Sequence, residues 1–147
     1  MRPSVEDIRE VFRLHDVRCT RQRELVYGEL AATKRHPTAE ELFESVRGLD
    51  GGISLATVYN TLELLQGAGL CRRLTAATGP ARFDADMSNH VHMTTPEGSV
   101  VDLPGDLSKR VLERLTAELA EELRARTGMA VTGLSIQVER AGGDVVQ

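Results

Sequence analysis

Apolar positions recur at helical spacing through most of the first seventy residues. In SVEDIREVFRLHD (residues 4–16), Val5, Ile8, Val11 and Phe12 fall on one face behind a Ser4 cap. Glu6 and Asp7 occupy the first turn, where free backbone amides favour acids. Thr20 opens a second helix, TRQRELVYGELAAT, with Leu25, Val26 and Leu30 facing inward. HPTAEELFESVRGL predicts a third: Thr38 caps it, Glu41 completes a capping box, and Leu42, Phe43 and Val46 point to the core. After Gly51-Gly52, Ser54 caps a fourth helix with the stripe Val58, Leu62, Leu65, which Gly67 or Gly69 ends.

The period then shortens to that of strands. LCRRLTA and ARFDA flank Thr78-Gly79-Pro80, a turn signal, so helices followed by a hairpin predict a winged helix-turn-helix. HVHMTT and SVVDL predict a second hairpin around Pro96-Glu97-Gly98. DLSKRVLERLTAELAEELRARTG reads as one long amphipathic helix with Val111, Leu115, Leu119 and Leu123 inside, ending at Gly128. AVTGLSIQVER alternates Val131, Leu134, Ile136 and Val138 as a further strand. The expected fold class is α+β: an N-terminal winged-helix domain over residues 1–83 and a small C-terminal α/β domain over 84–147. A module of about 60 residues buries little apolar surface alone, so pairing with a second copy, a homodimer, is expected.

Charge separates the two parts. The net charge is −4, but residues 1–84 carry twelve basic and twelve acidic side chains and are neutral. Residues 13–35 hold Arg13, Arg18, Arg21, Arg23, Lys34 and Arg35 against three acids, a local patch suited to phosphates. In a winged helix the helix before the wing enters the major groove of double-stranded DNA. Its outward positions are expected to be Ser54, Thr57, Tyr59, Asn60 and Thr61. Asn can pair with adenine, and Tyr or Thr can pack on a thymine methyl. Arg18 and Arg21, with the wing arginines Arg72 and Arg73, would meet the backbone. No apolar run approaches the ~20 residues of a membrane helix. The first residues carry no signal-peptide pattern, so a cytoplasmic protein without a membrane partner is expected. Cys19 and Cys71 form no CxxC pair, which predicts two partly buried free thiols.

The chain has four histidines, and two of them, His90 and His92, stand one residue apart in a strand-like run. Alternate strand residues share a face, so both imidazoles could hold one ion, with Asp102 adding a carboxylate from the neighbouring strand. On the residues alone, this is either a ligand pair or a polar strand, and His36 is either a ligand or a polar residue at a helix start. HPTAEELFESV, ISLATVYNTLELLQGAGL and ARFDA followed by HVH resemble the Fur superfamily of metal-dependent bacterial repressors, over about residues 15–103. Asn60, where iron-uptake members usually carry Arg, resembles the peroxide-regulator (PerR-like) branch.

The resemblance implies that His36, Asp84, His90, His92 and Asp102 form a regulatory metal site. Three imidazoles and two carboxylates suit Fe²⁺ or Mn²⁺, with Zn²⁺ or Ni²⁺ as substitutes. It also implies an operator-binding repressor, not an enzyme. Hydrogen peroxide would inactivate the Fe²⁺ form by oxidising a ligand, with His36 and His90 the sensitive rings, while Mn²⁺ would support DNA binding without that reaction. The chain departs from the family in one respect: the two CxxC pairs that usually hold a structural zinc are absent, since no cysteine follows Cys71. No structural zinc held by four cysteines is therefore expected, and apolar packing would hold the dimer. The rival readings are an iron or manganese uptake regulator sensing metal concentration only, a small non-haem metal enzyme, and a metal-free DNA-binding adaptor.

Overall fold

Four side-chain caps set the starts of the first four helices in the computed structural model, which describes residues 1–75, 79–95, 99–114, 117–129 and 137–139. Ser4 and Thr38 close capping boxes with Asp7 and Glu41 ahead of α1 (Val5–Leu14) and α3 (Ala39–Arg47). Thr20 and Ser54 accept from the amides of Arg23 and Thr57 at the starts of α2 (Arg21–Ala32) and α4 (Leu55–Gly67). Each such cap contributes ~1 kcal/mol by satisfying amides that have no partner inside the helix.

The apolar stripes meet in one core. Phe12, Val26, Leu30, Leu42, Val46, Val58, Leu62 and Leu65 are all buried, and Phe83 of the wing closes the cluster. Leu25, Phe43 and Val11 are half-buried against it. Two expectations fail here. Val5 is 46% exposed, because it stands in the first turn of α1, at the edge of the core. Thr61, expected on the outer face of α4, is buried beside Leu62. The α4 stripe is therefore wider than its aliphatic residues alone suggest.

The wing consists of β1 (Arg72–Leu74) and β2 (Arg82–Asp84), antiparallel, with Arg72 opposite Asp84. Gly79 in the connection has φ +90°, a conformation that glycine adopts without strain; Thr78 lies outside the described residues. A short strap joins the other edge of β2. Thr38 bridges Arg82, and the Phe83 amide donates to the Pro37 carbonyl at 3.0 Å. This strap carries His36 to the end of the wing.

Beyond the wing, β3 (His92–Thr94) pairs antiparallel with β4 (Val100–Asp102), in a register that sets His92 opposite Asp102. The Thr95 amide donates to the Ser99 carbonyl at 2.8 Å and closes this hairpin; residues 96–98 of the expected turn lie outside the described residues. β5 (Gln137–Glu139) adds to β3 in parallel, while the rest of AVTGLSIQVER lies outside the described residues.

The expected single helix is two, α5 (Gly105–Glu113) and α6 (Ala117–Thr127). α5 is anchored through buried Ser108, whose hydroxyl accepts the Val91 amide at 2.8 Å. Arg114 caps α5, donating its amide to the Val111 carbonyl at 3.2 Å. Val111 and Leu123 are half-buried and Leu119 is exposed, while Leu115 of the expected inner stripe lies outside the described residues. No helix among the described residues is long and apolar enough to cross a membrane.

The two thiols also differ from expectation: Cys19 is exposed and Cys71 buried. Burial, with Asp84 nearby, pushes the Cys71 thiol up to about 11. At about pH 8 a thiol reagent should therefore modify Cys19 alone in the folded chain, and both cysteines after denaturation. Rapid modification of both in the folded chain would place Cys71 outside the core.

Candidate metal centre

His36 is held in an unusual backbone conformation. Its φ is +49°, the left-handed region, where a residue with a Cβ is disfavoured by about 1–2 kcal/mol. Arg82 secures the conformation. One guanidinium nitrogen donates to the His36 carbonyl at 3.0 Å and to Glu41 Oε2 at 3.1 Å. The same carboxylate oxygen accepts the Thr38 amide at 3.0 Å, so the strap and the α3 cap share one charged network. The His36 ring, 1% exposed, is thereby aimed past the end of β2.

Asp84 stands at that end, 4% exposed. Its Oδ1 accepts the Asp86 amide at 2.8 Å and lies 3.7 Å from His36 Nδ1. Its Oδ2 lies 3.3 Å from His92 Nε2 and 3.1 Å from His90 Nε2. Asp102 approaches from β4: its Oδ1 is 2.7 Å from His36 Nε2, 3.2 Å from His90 Nε2 and 3.6 Å from His92 Nε2. Two carboxylates thus bridge three imidazoles, and all five expected residues meet. The ligand atoms of His36, Asp84 and His92, and those of His90, His92 and Asp102, each lie within 4.8 Å of one another.

The histidine pair converges by a route other than strand alternation. β3 begins at His92, and His90 lies before it. The Ser88 carbonyl, 2.9 Å from His90 Nδ1, orients that ring instead. With the proton on Nδ1, the Nε2 lone pair is left for a ligand, the arrangement of metal-bound histidines. Burial works against the Asp84 charge. The hydrogen bond from His92, the Asp86 amide, and the charges of His36 and His90 outweigh it and hold the carboxyl below its ordinary range.

This donor set fits a divalent cation. His90 Nε2 and His36 Nδ1 are buried without a hydrogen-bond partner, although both face carboxylate oxygens. Buried polar atoms left unpaired are costly, and ligation of a cation is one way such atoms are satisfied. The mix of imidazole and carboxylate, with no thiolate, suits iron or manganese as well as zinc.

On the helical side, Tyr59, Asn60, Arg18 and Arg21 are exposed. The Tyr59 hydroxyl donates to Glu40 Oε1 at 2.6 Å, and Arg21 lies 3.7 Å from Asp50. Ser54 and Thr57 share a 2.8 Å hydroxyl contact within the α4 cap. Arg73 is exposed, whereas Arg72 is half-buried and turns inward, donating to the Ser88 carbonyl at 2.8 Å. Arg72 therefore does not stand among the outward-facing wing arginines. Neither the inward turn of Arg72 nor the hold of Arg82 on the His36 carbonyl is expected from the sequence. Their signals were the ARFDA run, where alternation puts residues 82 and 84 on one face, and the register opposite Asp84.

The family profile described as "Ferric uptake regulator family" matches residues 15–130. The ferric uptake regulation protein of Brucella abortus is 34% identical over 119 residues, which cover 80% of this chain and 84% of that one. The peroxide-responsive repressor PerR of Staphylococcus aureus is 34% identical over 87 residues, 58% of this chain and 59% of that one. Among solved structures, the ferric uptake regulator from Pseudomonas aeruginosa with manganese superposes with a TM-score of 0.68 at 25% identity, covering 90% of this chain and 95% of that one. The Campylobacter jejuni peroxide stress regulator superposes at 0.65 with 23% identity over 97% and 98% of the two chains, a likeness of fold.

Arg82→Ala should lower the unfolding free energy by about 1–3 kcal/mol, the worth of charged hydrogen bonds to a buried carbonyl and a cap. Arg82→Lys should recover only part of it, lacking the planar fork. Denaturant titration measures both, and an unchanged midpoint for Arg82→Ala would mean that His36 is held without this arginine.

Proposed function

Because this chain belongs to the ferric uptake regulator family, we propose that it is a homodimeric, cytoplasmic repressor that binds operator DNA when His36, Asp84, His90, His92 and Asp102 hold Fe²⁺ or Mn²⁺, and that it senses peroxide. The chain is a metal-dependent regulator of that family, with a winged-helix DNA-binding domain and a C-terminal dimerisation domain. The observation that carries the reading is the meeting of His36, on the strap before α3, with Asp102, on β4, at 2.7 Å.

The division of labour follows the elements. Residues 1–83 present α4 and the basic cluster to DNA: Tyr59 and Asn60 face base edges, Ser54 and Thr57 stand at the start of the helix, and Arg18 and Arg21 meet phosphates. Residues 84–147 supply the dimer contact and four of the five ligands. A cation shared by His36 and that group would hold the winged helix in one orientation, and its binding energy would bias the hinge between the domains. No cysteine follows Cys71, so we infer that the dimer needs no thiolate zinc.

Ferrous iron, when bound, supplies the electrons that reduce hydrogen peroxide and so creates an oxidant beside the rings. This chain's part is to place His36 and His90 there. Each has a nitrogen that makes no hydrogen bond, and both rings are shielded from bulk water, at 1% and 12% side-chain exposure. A ring that gains oxygen is a poorer ligand, and release of His36 would free the strap from β4. Asn60 and the similarity to peroxide-responsive repressors support this branch. Sensing of metal concentration alone is the second reading, favoured by the longer match to a ferric uptake regulation protein.

Protein loaded with Fe²⁺ and treated with hydrogen peroxide should gain one oxygen on His36 or His90 and release operator DNA, whereas the Mn²⁺ form should do neither. Mass spectrometry and an operator-binding titration read the two effects. His36→Ala should lose metal-dependent operator binding while remaining dimeric. Release of DNA by chelation, with no oxygen gained after peroxide, would favour the second reading.

A further inference from the structure

The inward turn of Arg72 places a permanent cation against the proposed metal site. Arg72 lies opposite Asp84 across the wing ladder. Its Nε is buried without a hydrogen-bond partner and stands 4.0 Å from Asp84 Oδ2. That oxygen is also the one 3.1 Å and 3.3 Å from the Nε2 atoms of His90 and His92. The other end of the guanidinium is fixed, because one of its terminal nitrogens donates to the Ser88 carbonyl at 2.8 Å. The same carbonyl accepts from His90 Nδ1. Ser88 is in turn held by its amide on Asp86 Oδ1 at 3.0 Å. The arginine is therefore tethered to the segment that orients one candidate ligand, while its unpaired N–H faces another. Arg73, on the opposite face of the strand, is exposed.

A fixed positive charge this close to a carboxylate has two consequences. In the metal-free protein it is the countercharge that a buried Asp84 needs. When a divalent cation enters, the two positive charges repel across a few ångströms of protein, where screening is weak. We propose that Arg72 is a built-in competitor for the cation: it occupies the charge environment of Asp84 when metal is scarce, weakens cation binding, and so sets the free metal concentration at which the site fills. This rests on the metal-site reading above and adds to it a residue that tunes the response.

Mn²⁺ titration of the full chain tests the proposal, with Arg72→Met and Arg72→Gln removing the charge, Arg72→Lys keeping it, and Arg73→Met as an exposed control. Both charge-removing variants should bind Mn²⁺ about tenfold or more tightly than wild type, given the size of close charge repulsion in protein. Arg72→Lys should stay within about threefold, since it keeps the charge without the planar fork. Arg73→Met should change little, because its charge is solvated. A second readout needs no affinity: the metal-free melting temperature should fall in Arg72→Met, and the rise on saturating with Mn²⁺ should exceed that of wild type. Equal or weaker Mn²⁺ binding by both Arg72→Met and Arg72→Gln would overturn the proposal, as would equal tightening in Arg73→Met. A wild-type chain that binds no Mn²⁺ would overturn the metal-site reading itself, and the competitor with it.

Discussion

A single buried carboxylate organises this protein. Asp84 ends β2, is 4% exposed, and keeps its charge although burial opposes it. A charge in that position is stable only if cations or donors surround it. The rest of the junction supplies them from three directions. The strap before α3 brings His36, the segment before β3 brings His90, and β3 brings His92. Asp102 then meets the same imidazoles from β4, so that a second carboxylate depends on the first arrangement.

The cost of this geometry falls on the backbone at His36. The strap's bridge to β2 and the Arg82 hydrogen bond to the carbonyl hold this left-handed residue before proline. The position of one ligand is thus tied to the edge of the wing. In the proposed reading, an ion at that tie would have leverage over a large packed body, since close-packed cores deform little.

The elements that the sequence makes legible are those with local causes. Ser4, Thr20, Thr38 and Ser54 cap their helices as expected, because capping depends on residues within one turn. The hairpin that pairs His92 with Asp102 follows from two alternating runs and a turn signal. What was not legible depends on contacts between distant segments. Val5 has helical spacing but stands at the edge of the core, Thr61 is polar but lies on the buried side of α4, and α5 ends at Glu113 with no glycine or proline to announce it. The chemistry of the His90–His92 pair was readable from residue types. Its geometry was not, since His90 is placed by the Ser88 carbonyl and not by the strand. His36 and Asp84 join the pair only by resemblance, and Arg72 reads as one more DNA-facing arginine because its inward turn depends on the register opposite Asp84.

In the proposed reading, side chains from both parts of the chain hold one ion. Electron spin-echo spectroscopy of bound Mn²⁺ tests it most directly, because coupling to coordinated imidazole nitrogen identifies and counts histidine ligands. The expected result is a single Mn²⁺ coupled to the three imidazoles of His36, His90 and His92, with one coupling lost in His36→Ala and the others retained. Mn²⁺ with no imidazole coupling, or with couplings unchanged in His36→Ala, would contradict it.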